Sequence, residues 1–214
     1  DNFNYQFSKI FPALYSDKAK DYDAESSDNF DYDVTFHSPN HLVHLFYPDL
    51  HIAPGTHIKG NYSPEQNDIQ LKIDSDSLRY KTIKFTDLDL EQWLEDDKVR
   101  ANYTIAKIKY SDSLYFDDIH FNTNGGNNKL DHILTWTDLK LKETSKVNWD
   151  THVKDSDHYG FQLNPSYFFI RGHKWDISHA SNVEFKSDTI RVDAFELSRN
   201  GQKILIDGQV SDKV

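Results

Sequence analysis

The fold is decided by residues 181–212, SNVEFKSDTIRVDAFELSRNGQKILIDGQVSD. Apolar residues recur two positions apart, as Val183 and Phe185 do. Because successive side chains of a β-strand point to opposite faces, each apolar pair lies on one face and the charged residues between them lie on the other. Ser187-Asp188 and Asn200-Gly201 interrupt the pattern, and Asn-Gly is a strong hairpin signal. The stretch predicts antiparallel strands with one apolar side.

The same alternation continues upstream along most of the chain. Residues 30–36, FDYDVTF, alternate strictly, and short apolar pairs follow, such as Ile83/Phe85 and Leu88/Leu90. Strands recur at short spacing with no long helix between them, which excludes β-α-β units. The sequence therefore predicts an all-β protein with an elongated, curved antiparallel sheet of repeated hairpins, an open trough shaped like a taco. A closed β-sandwich is the alternative architecture.

One short helix is predicted near residues 40–47. Leu42 and Leu45 have helical spacing, Asn40 is a candidate N-cap, and Pro48 ends the segment. About two helical turns are enough to plug one end of a sheet and too few to cover its face.

The chain is expected to divide into two regions. Residues 1–38 contain N-terminal strands and an acidic connector, and residues 39–214 form the repetitive β domain. Within the first region, Phe3, Tyr5 and Phe7 alternate like a strand before the acidic, Ser-rich connector.

Two local patterns carry further expectations. The segment Asp76–Phe85 matches Asp112–Phe121 at five of ten positions, which predicts an internal repeat. The stretch 91–98 is more polar than its surroundings, and Trp93-Leu94 within it is interpreted as one short helical turn.

Composition excludes several classes of protein. The chain has 35 Asp and Glu against 24 Lys and Arg, a net charge of −11, so nucleic acid is not an expected partner. It has no Cys, which excludes disulfides and thiolate metal sites. No apolar run approaches the roughly 20 residues of a membrane-spanning helix. The chain also lacks Met, so we expect it to be a segment of a longer protein.

The His and Asp residues that suggest metal sites are expected to have ordinary structural roles. The 11 His include His41-x-x-His44, but zinc requires three or four ligands, so exposed or capping roles are expected and no metal site is predicted. Asp-x-Asp pairs such as Asp155/Asp157 do not continue into a calcium loop. No nucleophile, phosphate-loop or dinucleotide motif occurs, so we predict no enzyme and no cofactor.

Aromatic residues leave a second functional class open. Those that alternate with Ile and Leu are expected to pack in the core, but the same rings would stack on sugars. A surface or periplasmic β-sandwich that binds glycan or protein is therefore the alternative function. The aromatic candidates are Tyr62, Tyr80, Tyr110, Phe116, Trp136, Trp175 and Phe185.

The C-terminal half resembles a known family. It contains, in order, NPSYFFI at 164–170, WDI at 175–177, IRVDAFEL at 190–197 and GQKILIDG at 201–208. This order of strands and turns resembles the translocation and assembly module subunit TamB family, AsmA-like bridge proteins of the bacterial cell envelope. The resemblance extends over about residues 30–214.

The resemblance implies a non-enzymatic segment of a periplasmic protein whose parent is anchored in the inner membrane. The apolar face of its sheet would form part of a conduit for phospholipid transport to the outer membrane. Its partners would be phospholipid acyl chains and, through parts outside this segment, an outer-membrane barrel. The candidate lipid-facing or core residues are Ile69, Leu71, Ile73, Ile83, Phe85, Ile105, Ile119, Phe121, Phe185, Ile190, Val192, Phe195, Ile204 and Ile206.

Overall fold

Fifteen strands form one antiparallel sheet in the computed structural model of the chain. The structure describes residues 12–14, 29–63, 68–170 and 172–211. The predicted all-β class and curved antiparallel sheet are confirmed, and one short α-helix, α1 (Asn40–Phe46), lies where the helix was predicted. All fifteen strands belong to a single sheet, so the two-sheet sandwich is not the architecture.

The strand predicted at Phe3, Tyr5 and Phe7 lies outside the described residues.

The strand boundaries show that most strands are long. The strands are β1 (Phe30–Phe36), β2 (Leu50–Ile52), β3 (Thr56–Ser63), β4 (Asp68–Tyr80), β5 (Ile83–Glu95), β6 (Lys98–Lys109), β7 (Tyr115–Gly126), β8 (Lys129–Asp138), β9 (Glu143–Asp155), β10 (His158–Leu163), β11 (Ser166–Ile170), β12 (His173–Ile177), β13 (Ser181–Lys186), β14 (Thr189–Arg199) and β15 (Gln202–Ser211).

The sheet is a meander in which chain neighbours pair with each other. β10 and β11 lie end to end along β9, and β12 and β13 lie end to end along β14. β2 and β3 likewise follow one another along β4. In each of these three cases, two shorter strands lie in line and are separated by a break. The breaks are residues 53–55 between β2 and β3, 164–165 between β10 and β11, and 178–180 between β12 and β13.

A crease crosses the sheet near these breaks. Asp87 in β5, Asp118 in β7 and Ala194 in β14 have φ values of 48°, 50° and 53°, the left-handed region that few residues other than Gly adopt. Strand pairing shifts by one residue beside Asp118 and beside Ala194. Such β-bulges bend a strand and increase its twist. The crease divides the sheet into an upper half, toward the turns at 96–97 and 127–128, and a lower half, toward the turns at 81–82 and 139–142.

Buried hydroxyl groups supply hydrogen bonds along the crease. Ser145 is 1% exposed, and its Oγ accepts a hydrogen bond from the backbone N of Phe169 at 3.0 Å. Ser181 is equally buried, and its Oγ donates to the backbone O of Ala194 at 3.0 Å. Ser181 satisfies a carbonyl at the Ala194 bulge, and Ser145 satisfies an N–H of β11, which pairs with β9 only at Tyr167.

Three local expectations are wrong. Asn40 does not cap α1, since its Oδ1 accepts a hydrogen bond from the Ile52 backbone N and ties the helix to β2. Trp93-Leu94 is not helical, because β5 continues to Glu95 and Trp93 lies opposite Gln70 in the strand ladder. The two repeat segments are not equivalent: the first is the β4–β5 hairpin, and the second is a loop followed by β7.

Removing a crease hydroxyl should destabilise the fold. Ser145→Ala leaves the Phe169 backbone N–H without its acceptor, so the free energy of unfolding should fall by about 1–3 kcal/mol. Ser113→Ala, in the exposed β6–β7 loop, is the matched control and should change it by less than about 0.5 kcal/mol. Urea unfolding followed by circular dichroism measures both, and equal values for the two variants contradict this role of Ser145.

Candidate functional site

One face of the sheet carries the apolar side chains, and we call it the apolar face. Residues directly opposite each other in an antiparallel pair share a face. In the upper half, one row of such partners crosses six strands and is apolar throughout. Its members are Ile73, Leu90, Tyr103, Phe121, Leu134 and Val147.

The apolar face is continuous across the crease. Phe116 and Phe121 are five residues apart in β7, so strict alternation would place them on opposite faces. Yet the ring of Phe116 contacts Trp136 at 5.8 Å, and the ring of Phe121 stacks on His132 at 5.9 Å. Trp136 and His132 share a face because they are four apart in β8, whose pairing with β9 has no shift. The bulge at Asp118 therefore keeps both phenylalanines on the apolar face.

Strand pairing places all fourteen sequence-predicted candidates on the apolar face. Ile69, Leu71, Ile73, Ile105, Ile119, Phe121, Phe185, Ile190 and Val192 lie in the upper half, and Ile83, Phe85, Phe195, Ile204 and Ile206 lie in the lower half. Their burial differs: Ile119 is 5% exposed, whereas Ile204 and Ile206 in the edge strand β15 are 47% and 49% exposed.

Burial and charge distinguish the two faces. The six buried hydrophobic residues of the described part of the chain all lie on the apolar face; they are Leu88, Leu94, Ala101, Ile119, Val153 and Ile177. The opposite, polar face carries ion pairs, such as Lys72–Glu91 at 2.5 Å and Lys107–Asp117 at 2.8 Å. The sheet therefore separates an apolar surface from a charged one.

A stack of rings lies at the centre of the apolar face. The centroid of the His132 ring is 5.9 Å from that of Phe121 and 4.8 Å from that of Trp149, and the Phe121 and Trp149 centroids are 5.7 Å apart, so each ring contacts the other two. The His132 Nδ1 is 2.9 Å from the Thr123 hydroxyl, and its Nε2 is 2.9 Å from the Thr151 hydroxyl. Burial lowers the pKa of His132, although the charges of Asp131 and Asp150 oppose this effect. The ring therefore favours the neutral form.

A groove opens on the apolar face in the lower half. Trp136 and Phe168 flank the buried Ser145, so two large rings stand on either side of a small residue. Phe116 and Ile170 line the same groove, whose volume is about 690 Å³. Its volume and aromatic lining suit an apolar ligand.

Other predicted sites do not assemble into a chemical centre. No group of three or more His, Asp or Glu among residues 12–14, 29–63, 68–170 and 172–211 is arranged to hold a metal ion. His44 approaches His51 and not His41, with Nε2 and Nδ1 3.1 Å apart. The pKa of His51 is lowered by burial first, and by Arg79 and His44, against the charge of Asp49.

The aromatic sugar-stacking candidates do not form a separate platform. Phe116 and Trp136 contact each other in the lower-half groove, and Phe185 contacts Phe161 at 5.6 Å in the upper half. Tyr62 lies beside Phe30, 5.3 Å away, at the other end of the sheet. They are distributed along the same apolar face as the aliphatic residues.

Sequence reasoning missed the most concentrated part of this face. His132, Trp149 and Phe161 were not among the lipid-facing candidates. Trp149 stands between the polar residues Asn148 and Asp150. Val147, Trp149 and Thr151 are nevertheless two positions apart, the spacing that places side chains on one face of a strand. His132 is polar, so the alternation of apolar residues does not identify it.

Comparison with known proteins identifies no relative. No protein-family model, curated protein or solved structure matches the chain. In the part of the chain that the structure describes, no helix is long and apolar enough to cross a bilayer.

The neutral His132 ring should make stability pH-dependent. Because its pKa is lowered on folding, this contribution is complete above the unfolded value of about 6.5 and is lost as the pH falls through the folded value. His132→Gln should therefore lose less unfolding free energy than the wild type between pH 7.5 and pH 5.0. Urea unfolding at both pH values measures this difference.

The matched control for this experiment is the exposed His173. His173→Gln should retain the wild-type decrease in unfolding free energy. An unchanged decrease in His132→Gln contradicts the assignment of a half-buried, neutral ring.

Proposed function

We propose that this chain is a non-enzymatic segment of a TamB-like bridge protein whose apolar face holds phospholipid acyl chains. The observation that supports this most is the continuity of the apolar face, from β4 to β15 and across the crease. An apolar sheet face requires a cover. The proposed cover is lipid, and the proposed location is the periplasm, on a route to the outer membrane.

The energetics of acyl-chain binding favour this proposal. Burial is worth about 0.8 kcal/mol per methylene, so a chain of a dozen methylenes gains about 10 kcal/mol before ordering costs. Rows of half-buried Ile, Leu and Phe provide a surface that requires no specific polar partner. A conduit needs this property, because a lipid must be held without being fixed at one position.

Two polar groups near the centre of the apolar face are compatible with lipid because they are already paired. The Tyr103 hydroxyl donates to Gln92 Oε1 at 3.0 Å, and His132 bridges two threonines. A paired polar group adds little to the free energy of covering the face with hydrocarbon. Anchoring of the parent in the inner membrane, and contact with an outer-membrane barrel, are proposed for parts of the protein outside this segment.

Photo-crosslinking tests the proposal with pairs of adjacent residues. A crosslinking amino acid at Phe121 or Phe161, on the apolar face, should capture phospholipid when the chain is expressed in a bacterial periplasm. At Asn122 or Gln162, their neighbours on the polar face, it should capture several-fold less. Mass spectrometry of the crosslinked product identifies the lipid.

Two results contradict the conduit. Capture of lipid at neither Phe121 nor Phe161, in a protein with its native circular dichroism spectrum, removes the proposed ligand. Equal capture at the polar-face residues shows adsorption that the apolar face does not direct.

A further inference from the structure

The two edges of the sheet at which strands turn differ in charge. Five hairpins form the edge of the lower half, called here the lower edge. Their described strand ends and turns are residues 78–85, 107–117, 136–145, 168–170 with 172–175, and 197–204. The upper edge has the hairpins at 93–100, 124–131, 153–160 and 184–191. The lower-edge ranges contain 44 described residues and the upper-edge ranges 32, so the two edges are compared by their balance of basic and acidic residues.

The lower edge is basic in an acidic protein. Ten of its described residues are Lys or Arg and four are Asp or Glu, whereas the upper edge has six basic and eight acidic residues. The lower-edge basic residues are Arg79, Lys81, Lys84, Lys107, Lys109, Lys140, Lys142, Lys174, Arg199 and Lys203.

Most of these cations are available to an external anion. Lys107, Lys109, Lys174 and Lys203 form ion pairs with carboxylates, and the other six form none among the described residues. Lys81 lies over the ring of Tyr80 at 5.4 Å, and Lys140 over the ring of Tyr115 at 5.5 Å. A ring beneath an ammonium group leaves its outer hydrogens free to bind.

Exposed apolar side chains concentrate at the same edge. Leu139 in the β8–β9 turn is 61% exposed, and Leu141 is 51% exposed. On the upper-edge hairpins, Ile190 is the one exposed large hydrophobic residue among those described. The lower-edge hairpins also expose Tyr80, Tyr110, Leu114, Phe116, Ile170 and Ile204.

Helix α1 adds to this surface. The backbone N of Lys81, in the β4–β5 turn, donates to the backbone O of Asp49 at 3.0 Å, so the end of α1 lies beside the lower edge. Leu45, Phe46 and Tyr47 at that end are 76%, 72% and 64% exposed.

We propose that the lower edge docks on the surface of a bilayer that contains anionic phospholipids. Basic residues with Leu, Phe and Tyr at the tips of turns match the two layers of such a surface: phosphate groups bind the cations, and the acyl boundary accepts the apolar tips. This goes beyond the proposed conduit, which requires only the apolar face. Docking would bring the lower edge of the sheet to the membrane from which lipid enters or leaves.

Vesicle sedimentation tests the proposal with matched charge reversals. The full chain should bind vesicles of phosphatidylglycerol and phosphatidylcholine about tenfold better than phosphatidylcholine alone. Lys81→Glu/Lys140→Glu at the lower edge should reduce binding to the anionic vesicles by about tenfold or more. Lys98→Glu/Lys186→Glu at the upper edge makes the same change in net charge and should reduce it less than about twofold.

A second variant tests the apolar tips. Leu139→Ser/Leu141→Ser changes only exposed side chains and should weaken binding several-fold at a salt concentration that screens the charges. Thermal melting confirms that each variant is folded.

The outcomes separate docking from the alternatives and from the conduit. Equal losses in the two charge-reversal variants, or equal binding to neutral vesicles, overturn the proposal. Tight binding of soluble polyglutamate, with no preference for vesicles, shows a docking site for an acidic protein and also overturns it. Lipid crosslinking at Phe121 should persist in the lower-edge variants, so docking and the conduit can fail separately.

Discussion

The structure depends on the crease that crosses the sheet at Asp87 in β5, Asp118 in β7 and Ala194 in β14. These left-handed residues slip the alternation by one position, and buried serines satisfy backbone groups along the crease. Without the slip, strict alternation would put the apolar residues of the lower half on the polar face. The bulges therefore bend the sheet and also keep its apolar face on one side.

This arrangement explains how a sheet with almost no helix is compatible with water. Ion pairs and exposed acids cover the polar face, while the apolar face buries only its deepest residues, such as Leu94 and Ile119. The remaining apolar area is half-buried and continuous, and it ends at the exposed edge strand β15. A ligand made of methylenes satisfies such a surface better than a ligand that must be positioned by hydrogen bonds.

The all-β class could be predicted from alternation, and the short helix from its helical spacing. The fourteen candidates could be chosen as apolar pairs, but alternation alone does not place the upper-half and lower-half pairs on the same face. The length of the strands could not be predicted. The alternation shifts by one residue between Ile83/Phe85 and Leu88/Leu90, and in a sequence such a shift looks like a turn between two short strands. In the structure both pairs belong to β5. Apolar pairs three residues apart, such as Phe85/Leu88 and Val192/Phe195, were the available signal of a bulge. The contrast between the lower and upper edges depends on which turns share an edge, which requires the topology.

The tryptophans offer the most direct measurement of the central claim, that acyl chains occupy the apolar face. Trp149 lies in its central ring stack, whereas Trp93 lies on the polar face beside Lys72 and Glu91. Variants that retain one of these two tryptophans, with the others changed to Phe, can be loaded with brominated phospholipid. The account predicts that bromine quenches the fluorescence of Trp149 and not that of Trp93. Equal quenching of both, or of neither after lipid has bound, contradicts it.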